Sequence, residues 1–131
     1  MDCLFCKIIR NEIPSITIYE DDNIKVFLDV NPATNGHTLV VPKKHYNNFL
    51  EVDNDLMTHM YNVIKKLYAI YKEKLHCEGL TICHNTEYGQ EIKHFHIHFI
   101  PRYHNDKVDL VSNKELLNNL EEIQKRLSNE K

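Results

Sequence analysis

Alternating apolar and polar positions mark two short segments near the start of the chain, residues 15–20 and 24–29. Between them, residues 21–23 read Asp-Asp-Asn, which are typical turn formers, so the pattern predicts a β-hairpin. A β-branched run at residues 37–41 predicts a third strand. That strand should stop at Pro42, because proline lacks the N–H group that a sheet requires.

After the third strand, the spacing of the apolar residues changes to the period of a helix. Apolar residues recur at intervals of three and four, which is typical of a long amphipathic helix with one face on the core. Asp53 or Asp55 is suited to cap its first turn. The recurring apolar positions are Leu56, Met60, Val63, Ile64, Leu67, Ile70 and Tyr71.

Two further strands are predicted at residues 80–85 and 94–101, on either side of a short loop. In the tail, Ser112 and Glu115 have the spacing of a capping box before an apolar run. That run is more consistent with core or dimer packing than with a coiled coil, because it spans too few heptads. Its stripe consists of Leu116, Leu120, Ile123 and Leu127.

These elements predict an α+β fold: an antiparallel five-stranded sheet with a long amphipathic helix and a C-terminal helix. The 131 residues fit a single domain, with a core at about 3–103 and a helical tail at about 112–128.

Composition narrows the functional classes. The net charge of −3 argues against a general nucleic-acid-binding protein, because such proteins carry an excess of basic residues. No segment is long and apolar enough to predict a membrane span, and the first residues lack the pattern of a signal peptide. We therefore expect a cytoplasmic protein whose four cysteines are reduced thiols or metal ligands.

The strongest chemical signal is a row of alternating histidines. His94, His96 and His98 should share one face of a strand, while Phe95, Ile97 and Phe99 face the core. The residues alone leave three interpretations open: ordinary structural histidines, a metal site with two of them as ligands, or a catalytic row in which a neutral ring attacks phosphorus or a carbonyl.

A second signal is the pair Cys3 and Cys6, whose spacing provides half of a zinc site. A redox pair or two free buried thiols are the alternatives. No cluster of carboxylates suited to magnesium is apparent in the sequence.

The run His-Phe-His-Ile-His-Phe-Ile at residues 94–100 resembles the histidine triad family of nucleotide hydrolases and transferases, in particular its phosphoramidase and bacterial branch. Other segments resemble the same family in the same order, over roughly residues 3–103. They are Phe-Cys-Lys-Ile-Ile at 5–9, Glu-Ile-Pro at 12–14, Tyr-Glu-Asp-Asp at 19–22, Phe-Leu-Asp at 27–29, Gly-His-Thr-Leu-Val-Val-Pro-Lys-Lys-His at 36–45, Gly-Gln at 89–90 and Pro-Arg at 101–102.

This resemblance implies a nucleotide-binding homodimer that cleaves at an α-phosphate through a nucleotidylated histidine. Purine nucleotides, nucleoside phosphoramidates or dinucleoside polyphosphates would be its ligands. The implied catalytic residues are His96 as the nucleophile, His98 and His37 at the phosphate, and Gln90 at the leaving group. The implied nucleotide contacts are Asp29 with the ribose, Asn85 on the phosphate side, and Phe5, Ile8 and Phe27 around the base.

The resemblance also completes the zinc site, because members with this cysteine pair often add two histidines. Here these would be His45 and His94, beside Cys3 and Cys6. Two features depart from the family: the loop at 86–88 is short, and Glu91 stands where serine or threonine is common. Both motivate an alternative function, a nucleotide-binding sensor or scaffold with negligible turnover.

Overall fold

The predicted five-stranded antiparallel sheet is present in the computed structural model of the protein, which describes residues 3–128. Residues 1–2 and 129–131 of the predicted domain lie outside the described part. The strands are β1 (Thr17–Glu20), β2 (Ile24–Leu28), β3 (Thr38–Pro42), β4 (Gly79–Cys83) and β5 (Ile97–Arg102). Their spatial order is β1-β2-β3-β5-β4, so the first three strands form a meander and β5 joins β3 to the edge strand β4.

Three helices accompany the sheet: α1 (Leu4–Ile9), α2 (Asn54–Leu75) and α3 (Leu120–Ser128). Short 3₁₀ turns lie at Phe49–Glu51 and Lys114–Leu116. Within residues 3–128, none of the helices combines the length and the apolar character that a membrane span requires.

The long helix α2 covers one face of the sheet. Asp53, one of the two predicted caps, accepts a hydrogen bond from the Leu56 N–H at 2.8 Å. Met60 and Ile64 are fully buried against the sheet. The inclusion of Ile70 in the apolar face was wrong: its side chain is exposed, because the buried stripe of this helix is narrower than the apolar pattern.

The core between α2 and the sheet contains Phe95, Ile97 and Phe99, as predicted, and all three are buried. However, β5 begins only at Ile97, so His94 and His96 precede the strand that was predicted to include them. The reason is local hydrogen bonding: the Phe95 N–H donates to the Tyr46 carbonyl at 2.7 Å rather than continuing the ladder to β3.

The short helix α1 covers part of the opposite face. Phe5 and Ile8 are buried there, and the Phe5 ring meets Phe27 edge to face at 5.6 Å. Lys25, also buried, donates from Nζ to the Ile8 carbonyl at 3.2 Å, at the end of α1. Since carbonyl groups at a helix end are unpaired, this ammonium group both satisfies one and fixes the helix on the sheet.

The tail differs from its prediction. Ser112 does not cap a helix: Asn113 caps the 3₁₀ turn, and α3 begins later, where Asn119 accepts from the Glu122 N–H at 2.8 Å. The predicted stripe does not pack on the core, since all four of its residues are exposed. The alternative of dimer packing stays a prediction, as does the homodimer itself.

Candidate active site and metal centre

A cavity of about 600 Å³ lies on the face of the sheet that carries α1. Eight of the predicted site residues line it: Phe5, Ile8, Phe27, Asp29, His37, Asn85, His96 and His98. The fold therefore brings together side chains from α1, β2, β5 and the loops before β3 and after β4. Glu91 also lines this cavity.

His37 is placed by a tight turn. Gly36 adopts a φ of +91°, and a Cβ at this position would lie 2.7 Å from Leu75 Cδ1. The backbone conformation therefore favours glycine, and a larger residue would also require the Leu75 side chain of α2 to move. The turn directs His37 inward, where its ring is buried.

The orientation of His96 is set by the backbone. Its Nδ1 lies 2.8 Å from the His94 carbonyl oxygen, which can only accept, so Nδ1 carries the proton. In the neutral ring, Nε2 then holds a free lone pair. Burial lowers the pKa of His96, although the hydrogen bond to the His94 carbonyl opposes this effect. The ring is therefore neutral near pH 7, with an unprotonated nitrogen in a cavity-lining residue.

His37 and His98 form a chain of donors. The Ala33 N–H donates to His37 Nδ1 at 2.9 Å, so in the neutral ring the proton lies on Nε2. That Nε2 is 3.0 Å from His98 Nδ1 and 3.4 Å from an oxygen of Asp29. His98 Nδ1 accepts, which leaves its Nε2–H as a donor. Burial lowers the pKa of both rings, so both are neutral near pH 7.

Apolar side chains form the wall beside the histidines. The Phe5 ring meets the His96 ring at 5.0 Å in an edge-to-face arrangement. Phe27 and Leu39 continue this wall beneath α1. An apolar wall next to a few polar groups is the usual lining of a small-molecule site.

Gln90, which was predicted to act at the leaving group, does not line the cavity. Its side chain is buried. Its oxygen accepts from the Glu87 N–H at 3.2 Å, and its nitrogen donates to the carbonyls of Asn47 and Ile92. These bonds hold the loop between β4 and β5, and they occupy the amide group.

A second cluster brings together all four predicted metal ligands. Cys3 Sγ is 3.3 Å from His94 Nδ1, and Cys6 Sγ is 3.3 Å from His45 Nδ1. The four candidate ligand atoms all lie within 4.8 Å of one another. Two thiols and two imidazoles at such distances are a typical tetrahedral zinc donor set.

The ring nitrogens of this cluster fit a metal. His94 Nε2 is 2.8 Å from the Pro42 carbonyl and must donate to it, which leaves Nδ1 unprotonated and directed at the thiols. His45 Nε2 faces the Asn47 side-chain oxygen at 3.2 Å, with the same consequence. Burial lowers the pKa of His94 to about 4, so its ring is neutral. Such partners on the second nitrogen are usual for metal-binding histidines.

Asp29, His37 and His98 also lie close enough to one another to suggest a metal site. The Ala33 N–H argues against it, because it occupies His37 Nδ1 and places the proton on Nε2, the nitrogen that a metal would need. We interpret this second group as hydrogen-bond donors around the cavity rather than as metal ligands.

Comparison with known families agrees with this geometry. Residues 10–105 match the sequence model of the HIT domain family. An uncharacterised HIT-like protein of Methanocaldococcus jannaschii is 45% identical over 127 residues, which cover 92% of this chain and 98% of that protein. Adenylylsulfatase HINT3 of Arabidopsis thaliana is 36% identical over 107 residues, covering 80% of this chain and 54% of that protein.

Solved structures show the same fold. A protein of Streptococcus mutans matches with a TM-score of 0.84 at 36% identity, covering 97% of this chain and 81% of that one. A zinc-bound histidine triad family protein of Mycobacterium smegmatis has a TM-score of 0.78 at 34% identity, with coverage of 86% and 84%. A hypothetical histidine triad nucleotide-binding protein of Sulfolobus tokodaii has a TM-score of 0.75 at 37% identity, with coverage of 85% and 76%.

Proposed function

This chain belongs to the HIT domain family, and we propose that it is a nucleotide hydrolase or nucleotidyl transferase that attacks the α-phosphate of its substrate with Nε2 of His96. Nucleoside phosphoramidates and dinucleoside polyphosphates are the proposed substrates. The names of two relatives support this class: one is an adenylylsulfatase and the other a nucleotide-binding protein.

The observation that carries the proposal is the hydrogen bond from His96 Nδ1 to the His94 carbonyl. It provides an unprotonated Nε2 for attack. It also strengthens when the ring becomes cationic, because a charged donor binds a carbonyl more strongly than a neutral one does. The same contact thus prepares the nucleophile and stabilises the nucleotidylated ring.

The reaction takes place in two displacements. Nε2 forms a bond to phosphorus while the bond from phosphorus to the leaving group breaks, and the leaving atom keeps the electron pair. A leaving amine then takes a proton from water. In the second step water attacks phosphorus and loses a proton to solvent, and the electron pair of the P–N bond returns to Nε2.

The other lining residues would bind the substrate. The His98 Nε2–H is a donor for a non-bridging phosphate oxygen, where negative charge develops. Asp29 accepts from the Asn31 N–H at 2.9 Å with one oxygen, and the other, which lies 3.4 Å from His37 Nε2, would also accept from a ribose hydroxyl. Phe5, Ile8, Phe27 and Asn85 all line the cavity. The three apolar side chains would enclose a purine base, and Asn85 would contact the phosphate side.

Zinc is the proposed structural cofactor, held by Cys3, Cys6, His45 and His94. The donor set and the ring tautomers fit it, and one structural relative is zinc-bound. A bound zinc ion would supply a cross-link between α1, which provides the apolar wall, and the segment that carries His96.

The test is hydrolysis of adenosine 5′-phosphoramidate by the wild type and by His96→Ala. We expect AMP release by the wild type and a loss on the order of 10⁴-fold or more in kcat for the variant, as for removal of other enzyme nucleophiles. Mass spectrometry after a brief incubation should show one AMP residue on the wild-type chain and none on the variant.

His104→Ala is the matched control, because His104 is an exposed histidine outside the cavity. It should retain wild-type turnover. Unchanged AMP release by His96→Ala would contradict the proposed nucleophile. Tight AMP binding by the wild type without any turnover would instead support the alternative of a sensor or scaffold.

A further inference from the structure

We propose that Glu91 makes this site selective for leaving groups that carry a positive charge. This inference rests on the proposed function and specifies its substrates: phosphoramidates of amines that bear a second ammonium group, in preference to substrates with polyphosphate or other anionic leaving groups.

Glu91 lies where two surface spaces adjoin. It lines the cavity that contains His96 and His98, and it also lines an adjoining depression of about 480 Å³. Leu4 and Ile92 are shared by the two spaces in the same way. A substrate whose reacting phosphorus lies beside His96 can therefore extend past Glu91 into the depression.

The charges of the cavity favour a cation near that junction. Among the described residues that line it, the acidic side chains are Asp29 and Glu91, and neither lysine nor arginine is present. The Glu91 carboxylate is close enough to influence His98: burial lowers the pKa of that ring, whereas the charge of Glu91 acts to raise it. An anionic leaving group would face this carboxylate without a compensating cation in the cavity.

Nearby cationic side chains have other partners. Lys93, which lines the adjoining depression, donates from Nζ to the Gln90 carbonyl at 2.9 Å. Lys25 donates to the Ile8 carbonyl and to the Asn11 side chain. Gln90, whose amide is occupied by backbone groups, is not available to bind the leaving group. A hydrogen bond to a carbonyl does not remove the charge of Lys93, but among the described residues of this loop Glu91 is the charged side chain that lines both the cavity and the depression.

The effect on the reaction is electrostatic. As Nε2 of His96 bonds to phosphorus, the P–N bond of the phosphoramidate breaks, its electron pair leaves with the amine nitrogen, and that nitrogen takes a proton from water. A second ammonium group on the departing amine interacts with Glu91 throughout this step. Since Glu91 is exposed, we expect the preference to be modest and sensitive to salt.

The experiment compares two AMP phosphoramidates that differ only in one terminal ammonium group, those of pentylamine and of cadaverine. Measurement of kcat/KM for the wild type should give a preference of about three- to fivefold for the cadaverine compound, which a partly screened ion pair can provide. Glu91→Gln should abolish this preference, and high salt should reduce it in the wild type.

Lys93→Gln is the matched control, because it removes the opposite charge from the same loop. It should retain the preference for cadaverine. An equal preference in the wild type and in Glu91→Gln would overturn the role of Glu91 while AMP release still supported the proposed function. Failure of the wild type to hydrolyse either compound would instead overturn the proposed function, and this inference with it.

Discussion

Two histidine clusters lie side by side in this protein, and they differ in which ring nitrogen is protonated. His94 and His96 are separated by a single residue, yet His94 belongs to the cysteine-containing cluster and His96 to the cavity. In His94, Nε2 donates to the Pro42 carbonyl and leaves Nδ1 bare. In His96, Nδ1 donates to the His94 carbonyl and leaves Nε2 bare.

The comparison teaches that the group hydrogen-bonded to one nitrogen of an imidazole decides what the other nitrogen can do. Carbonyl or amide oxygens behind His94 and His45 leave their Nδ1 atoms free to bind a metal. A backbone N–H behind His37 places a proton on its other nitrogen, which makes it a donor. The same residue type thus provides the proposed metal ligands in one region, and the proposed nucleophile and its neighbouring donors in the other.

The largest effect that we expect, in a test of the difference between the two clusters, concerns zinc binding. Cys6→Ser should prevent zinc from co-purifying and should lower stability by about 4 kcal/mol, the contribution of a ligand present at about 1,000 times its Kd. At roughly 3 °C per kcal/mol, the melting temperature should fall by about 12 °C. Metal analysis and thermal unfolding measure the two effects.

The control for this variant is Cys83→Ser, which changes a cysteine outside the cluster. It should keep its zinc. If purified wild-type protein contained no zinc, or if Cys6→Ser retained it in full, the cysteine-containing cluster would not be the metal centre.

A smaller effect is expected for the donor chain. His37→Ala removes the hydrogen bond to His98 Nδ1, so the orientation and tautomer of His98 are no longer fixed. We expect kcat/KM for a phosphoramidate to fall by about 10²-fold, within the range for positioned acid–base groups, whereas the zinc content should not change.

His59→Ala is a suitable comparison, because His59 also pairs with a carboxylate, that of Asp21, but lies outside the cavity. Its turnover should remain within about twofold of the wild type, as expected for surface changes. Loss of zinc in His37→Ala would show that the two clusters are not independent.

The smallest effect concerns pH. Burial lowers the pKa of His98 below its ordinary value of 6.5, so the unfolded chain binds more protons than the folded one at pH values below 6.5. The contribution of His98 to stability is therefore constant above pH 6.5 and becomes unfavourable as the pH falls below it. Denaturant unfolding at several pH values should show a shallower acid loss in His98→Gln. Identical pH dependence in both proteins would contradict this.

Part of this arrangement could be predicted from sequence. Periodicity indicates the sheet strands and α2, most clearly in β2, β3 and the core face of α2, where apolar side chains are buried. The motif order indicates the family, and the resemblance identifies eight of the residues that line the cavity. The tail was less predictable: the apolar positions of α3 mimic a packed stripe, yet their side chains are not buried in this chain.

The tautomers could not be predicted, because they depend on which hydrogen-bonding group the fold places beside each ring nitrogen. Nothing in the residue types of Ala33 or Pro42 indicates that the first provides an N–H for His37 and the second a carbonyl for His94. The hydrogen bond from Lys25 to the end of α1 is another example. A lysine within an alternating strand pattern is expected to face solvent, whereas Lys25 is buried. The partners of Gln90 were not predictable either, as its amide binds backbone groups of its own loop and of Asn47.

The most direct test of the central claim is a long-range ¹H–¹⁵N correlation spectrum of the histidine rings at neutral pH, which reports the protonated nitrogen of each. We expect the proton on Nδ1 in His96, and on Nε2 in His94, His45, His37 and His98. A proton on Nε2 of His96, or on Nδ1 of His94, would contradict the proposed division into a nucleophile and a metal ligand.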